Sequence, residues 1–133
     1  MQVRSSHAGI LATVALMTVG WAYEVGADSD YIEPAALAKL IAARQAPLLI
    51  DVRSPDEYAQ GHVPGALMFP IQAFPAIINR LPQSKSVDIV VYCEKGPRAG
   101  LAKAALVLAG YKQIRYLDGH MAAWRASGQA IEK

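Results

Sequence analysis

With 133 residues, 53% of them hydrophobic and 18% charged, the chain has enough apolar material for one domain of helices around a sheet; it is too short for a tandem pair and too apolar for disorder. A formal charge of +2, carried by scattered lysines and arginines, excludes a nucleic-acid surface. Basic residues gather only around Cys93.

Residues 1–27 read as a secretory signal peptide. Arg4 supplies the positive start, the stretch from Ala8 to Ala22 is uncharged, and Val25-Gly26-Ala27 offers small residues to a signal peptidase, so cleavage is expected before Asp28. The apolar run is shorter than the roughly 20 residues a spanning helix needs, which disfavours a retained anchor. No cysteine lies near the junction to carry a lipid. The expectation is a periplasmic or secreted domain over 28–133 that has no membrane attachment after cleavage and, having lost Arg4 and Glu24, keeps a charge of +2. In an oxidising compartment a lone cysteine cannot pair within the chain, so Cys93 is either reactive or paired between chains.

Strands and helices then alternate. Tyr31-Ile32 begins a short strand, and Pro34 opens a helix with Leu37, Leu40 and Ile41 on one face. Leu48 to Val52 is an unbroken apolar run, as suits a strand buried on both faces of a parallel sheet. Ser54-Pro55-Asp56-Glu57 is a capping box that starts a short helix through Tyr58. A loop over Gly61 to Gly65, a short strand over Ala66 to Phe69 and a helix from Phe74 to Leu81 follow, then a central strand from Val87 to Tyr92. Residues 99–109 are helical and stop at Gly110; Ile114 to Leu117 is a fifth strand, and a last helix through Met121, Ala122, Trp124 and Arg125 stops at Gly128. This order predicts an α/β domain: a five-stranded, mainly parallel sheet with helices on both faces.

The strand ending at Cys93 turns through Glu94, Lys95, Gly96 and Pro97 into a helix opening near Arg98. Such a turn points backbone N–H groups and the positive end of the helix at the sulfur, an environment that favours thiolate. A buried packing cysteine needs no Lys, Gly and Arg behind it, so Cys93 is read as a nucleophile. Arg53 and Glu57 are expected to form a structural ion pair, His62 to be a hydrogen-bonded loop residue, and Trp124 to be core or a cover over the site edge. One cysteine and two histidines far apart after residue 27 give no zinc spacing, and no cofactor is expected.

Four segments together resemble the rhodanese (sulfurtransferase) domains: Leu49-Ile50-Asp51-Val52-Arg53 with Glu57-Tyr58; Gly61-His62-Val63-Pro64-Gly65-Ala66 with Pro70; Val91 to Arg98; and Gly110-Tyr111 through Leu117-Asp118-Gly119 with Trp124 and Gly128. The likeness runs from Tyr31 to Ile131 and is nearest to the small single-domain periplasmic form. It implies that Cys93 takes sulfane sulfur from a small anionic donor such as thiosulfate, holds it as a persulfide, and passes it to cyanide, a thiol or a protein acceptor. It also implies that Glu94, Lys95, Gly96, Pro97 and Arg98 form the substrate-binding loop, with Lys95 attracting the donor and Arg98 closing the loop.

The chain departs from that pattern in three places. Glu94 stands where thiosulfate-using members often carry arginine, and its charge is expected to oppose an anionic donor. Pro97 removes one N–H from the cradle. His120 replaces the second glycine of the usual pair before the last helix and is read as helix-start packing. Two other classes remain in view: a persulfide carrier or binding module for a protein partner, and a cysteine-loop phosphatase or arsenate reductase. The latter resemble Cys, five residues, then Arg, whereas four residues separate Cys93 from Arg98.

Overall fold

A computed structural model describes residues 29–133; the expected signal segment, 1–27, lies outside the described residues. Five strands, β1 (Tyr31–Ile32), β2 (Leu48–Asp51), β3 (Leu67–Met68), β4 (Asp88–Tyr92) and β5 (Gln113–Leu117), form one sheet in the order β1-β5-β4-β2-β3, with every pairing parallel. Five helices accompany it: α1 (Pro34–Ala42), α2 (Pro55–Gln60), α3 (Phe74–Ile77), α4 (Pro97–Leu108) and α5 (His120–Ala126).

The period-two alternation of a strand divides the core into two layers. Ile50 and Val52, with Ile89, Val91 and Cys93, pack toward Phe74 of α3 and Ala99, Ala102 and Leu106 of α4. Leu49, Val90 and Tyr92 face the other way, onto Leu37 of α1 and Met121 and Trp124 of α5. Helices thus cover both faces, and β2 and β4 carry unbroken apolar runs, Leu48 to Ile50 and Ile89 to Tyr92, because neither face meets water. Trp124 belongs to the core, its indole N–H donating to the Ala130 carbonyl at 2.9 Å.

Two elements are shorter than their sequence pattern suggests. The expected helix from Phe74 to Leu81 is a single α turn between the 3-10 turns Ile71–Ala73 and Ile78–Arg80. Pro82 disfavours helical backbone at Leu81, and the chain leaves through the tighter turn closed by Leu81 N–H on the Ile78 carbonyl. The strand expected over Ala66 to Phe69 pairs only at Leu67 and Met68, at the sheet edge.

The topology places a crevice. From β2 the chain moves out to β3 at one edge; from β4 it moves the opposite way, to β5. The carboxyl ends of β2 and β4 therefore form a topological switch point, where open α/β sheets receive ligands. Arg53 follows the first of these strands and Cys93 the second.

Candidate active site

Cys93 is the residue directly after β4, and its sulfur is almost wholly buried. The Gly96 N–H donates to Sγ at 3.0 Å. Gly96 adopts φ +137°, in the region that favours glycine, and this lets the chain fold back over the sulfur and cap α4. Pro97 then occupies the first helical position, where an N–H would have no intrahelical partner, so its missing donor costs the cradle little. Burial is the strongest single influence on the Cys93 thiol and by itself raises its pKa. Hydrogen bonds from the His120 side chain and from the backbone of Ala99, Gly96 and Lys95 together outweigh it and bring the pKa down to about 7.

The first turn of α5 grips the same loop. Met121 N–H donates to the Cys93 carbonyl at 3.0 Å and Ala122 N–H to the Glu94 carbonyl at 3.2 Å, while the Cys93 N–H donates to His120 Nδ1 at 3.2 Å. The loop's main chain is thereby held on the side away from α4.

Ion pairs frame the crevice in a way that corrects the sequence reading. Arg53 does not pair with Glu57. Its buried guanidinium forks onto Asp51, with Nη2 at 2.8 Å from Oδ2, and also donates to the Gly61 carbonyl at 2.7 Å. Glu57 instead takes Arg98 in a bidentate pair at 2.6 and 3.0 Å. The capping box explains the choice: Glu57 Oε1 accepts the Ser54 N–H, which orients the carboxylate toward α4 rather than back along the chain. The Arg98 guanidinium, reinforced by the Ser54 contacts, holds the Glu57 carboxyl down at about 2 against a smaller opposing effect of burial.

Glu94 is likewise no isolated charge. Its carboxylate is taken by Arg125 of α5 and lies 3.6 Å from Arg53 Nη1, so the negative charge expected to oppose an anionic donor is compensated by two guanidinium groups. Lys95 is exposed and makes no ion pair among the described residues. Arg53, Glu57, Glu94, Met121 and Arg125 line a cavity of about 320 Å³ beside the loop. A larger one, about 520 Å³, lies at the opposite end of the sheet near Asp88 and Gln113; it adjoins the amino ends of β4 and β5, away from the switch point.

The structure therefore gathers Cys93, Gly96 and Arg98 as the sequence suggested, and adds three residues that were assigned elsewhere or nowhere: Glu57, Arg125 and His120. His62 behaves as expected, its Nδ1 donating to the Tyr58 carbonyl at 2.9 Å.

Comparison with known proteins agrees on one family. A family model described as a Rhodanese-like domain matches residues 33–127. A sulfurtransferase from Allochromatium vinosum is 35% identical over 100 residues, which cover 75% of this chain and 92% of that protein. Among solved structures, the Alr3790 protein from Anabaena superposes with a TM-score of 0.67 at 30% identity, covering 76% of this chain and 80% of that one. Thiosulfate sulfurtransferase from Pseudomonas aeruginosa superposes with a TM-score of 0.67 at 28% identity, over 77% of this chain and 20% of that larger chain.

Proposed function

The chain belongs to the rhodanese-like domain family, for which sulfur transfer is the family-level role, and from that premise we propose that it moves sulfane sulfur from a small anionic donor such as thiosulfate to a thiol or cyanide through a persulfide on Cys93. The observation that carries this reading is the seat of the sulfur: a thiol with its pKa lowered to about 7, at the switch-point end of the central strand, facing the Gly96 N–H at 3.0 Å. The Cys93 thiolate attacks the outer sulfur of thiosulfate. A bond forms between the two sulfurs, the bond to the sulfite sulfur breaks, and sulfite leaves with the electron pair. Cyanide or a thiolate then attacks the outer sulfur of the persulfide, leaves as thiocyanate or as a new persulfide, and returns the thiolate. Thiolate and persulfide are both anions, so the same N–H group serves both halves of the cycle. Glu94, Lys95, Gly96, Pro97 and Arg98 form the loop the donor meets, with Lys95 as its uncompensated cation.

Intact mass of the purified protein after exposure to thiosulfate should show one added sulfur that dithiothreitol removes, and Cys93→Ser should show none while keeping a native spectrum. Sulfur on the serine variant, or none on the wild type, overturns the reading. A second reading, delivery to one protein partner without turnover of small acceptors, draws support from Leu101, Val107 and Leu108, exposed along α4, the helix that begins at the loop. It predicts the same persulfide with negligible cyanide turnover. We place the working protein in the periplasm or outside the cell, with residues 1–27 removed; N-terminal sequencing of protein from the native envelope should begin at Asp28, and a start at Met1 would reject this.

A further inference from the structure

We propose that His120 is a positioning residue of the Cys93 loop, whose imidazole holds the loop's shape and helps keep the sulfur anionic. The inference rests on the reading of Cys93 as the sulfur-carrying nucleophile and concerns how that nucleophile is prepared.

Backbone conformation gives the first argument. His120 sits at φ +56°, directly after Gly119 at +68°, and is the one non-glycine residue in the left-handed region apart from Arg44 among the described residues. That conformation is uncommon for a side chain with a Cβ. Glycine would occupy it without strain. A histidine kept there, and kept buried, is held by what its ring does.

The ring's contacts say what that is. Nδ1 accepts the N–H of Cys93, which leaves Nε2 as the ring nitrogen able to donate. Nε2 is on the Gly96 side, 3.3 Å from where a Gly96 Cβ would stand, and Gly96 is the residue whose own N–H reaches Sγ. One ring therefore bonds one end of the turn that wraps the sulfur and lies beside the other. The other face of the ring packs on Tyr116 of β5 with centroids 5.9 Å apart. The lowered pKa of Cys93 agrees, since the His120 side chain is the largest of the influences that favour the thiolate. The charged and titratable groups around this pair are Arg98 of α4, already matched by Glu57 of α2; Tyr116 of β5, with Lys103 of α4 over its ring; and Glu94, matched by Arg125 of α5. His120 is the one side chain among the influences that lower the Cys93 pKa.

The test is the pH profile of Cys93 alkylation by iodoacetamide, which reads the thiolate whether or not sulfur transfer occurs. In the wild type the rate should rise through a midpoint near 7. His120→Gly relieves the backbone and removes the ring; the midpoint should move up by about one pH unit, so that below it the variant reacts about tenfold more slowly. His120→Asn tolerates the left-handed backbone and offers an oxygen to the Cys93 N–H, but ends short of Nε2. It should hold the loop and recover less than the full shift. If both variants alkylate with the wild-type profile, His120 is packing only and the proposal is wrong. Variant profiles that shift while the wild type takes no sulfur from thiosulfate would keep this inference and reject the proposed function instead.

Discussion

The domain buries two histidines at two places, and they do opposite things. His62, in the loop after α2, presents each ring nitrogen to an acceptor: the Tyr58 carbonyl at 2.9 Å and the Glu132 carboxylate at 3.2 Å. Its ring stacks on Tyr58 with centroids 3.6 Å apart, and its backbone pairs with Glu132 in an antiparallel bridge. His120 instead accepts, from the backbone of Cys93. The first ring fastens the C-terminal tail to the body of the domain; the second fastens the loop that carries the nucleophile. The lesson is that burial of a histidine says little until the partners of both nitrogens are known. A ring between two acceptors is a clasp, and a ring that accepts from a reactive residue's own N–H is part of that residue's environment.

The largest effect that would break this contrast is on stability. His62→Ala removes the stack on Tyr58 and both ring contacts, and leaves the Tyr58 carbonyl with the Gly61 N–H alone. We expect a loss of about 1–3 kcal/mol of unfolding free energy, read as a lower urea midpoint with unchanged slope. The alkylation profile of Cys93 should not move. A His62→Ala protein of undiminished stability, or one whose thiolate profile shifts as far as that of a His120 variant, would erase the distinction between clasp and sulfur environment.

The contrast also shows what a linear reading can reach. The apolar run of β4 ending in Cys93, the capping box at Ser54 and Glu57, and the glycine and proline that turn the loop into α4 are all local, and each appears in the structure as its residues suggest. The parallel sheet with helices on both faces follows from the alternation of elements. Apart from the two elements that prove shorter than expected, the errors are in contacts between elements. Arg53 and Glu57 are four apart and invite an ion pair, but Arg53 precedes the N-cap Ser54, so the spacing that brings helical side chains together does not apply to it. Glu57 finds Arg98 across 41 positions, Glu94 finds Arg125 across 31, and His120 finds Cys93 across 27. Nothing in periodicity or capping encodes such pairings. The one local clue to His120 was its place after Gly119, where the resemblance leads one to expect a second glycine.

The smallest effect worth measuring asks whether the charges over the loop tune its traffic. Lys95 is exposed and uncompensated, whereas Glu94 is matched by Arg125 and lies near Arg53. Lys95→Gln removes a free cation from the approach of a doubly charged donor and should raise the Michaelis constant for thiosulfate. Glu94→Gln removes a carboxylate already neutralised, but it releases the half-exposed guanidinium of Arg125, so the local potential still becomes more positive and the constant should fall. Exposed pairs of this kind are worth about 0.2–1 kcal/mol, and screening over a Debye length of about 10 Å reduces them further, so changes of about two- to threefold at low salt are the scale to look for. Both should fade as salt is added. Adding Arg125→Gln to Glu94→Gln should cancel the gain, because the released guanidinium is then absent. If the double variant keeps the lower constant, the donor responds to the Glu94 carboxylate itself and the Glu94–Arg125 pair does not screen it. If Glu94→Gln alone weakens thiosulfate use, the pair is holding the Cys93 loop in place, and α5 acts on the sulfur through Glu94 as well as through His120.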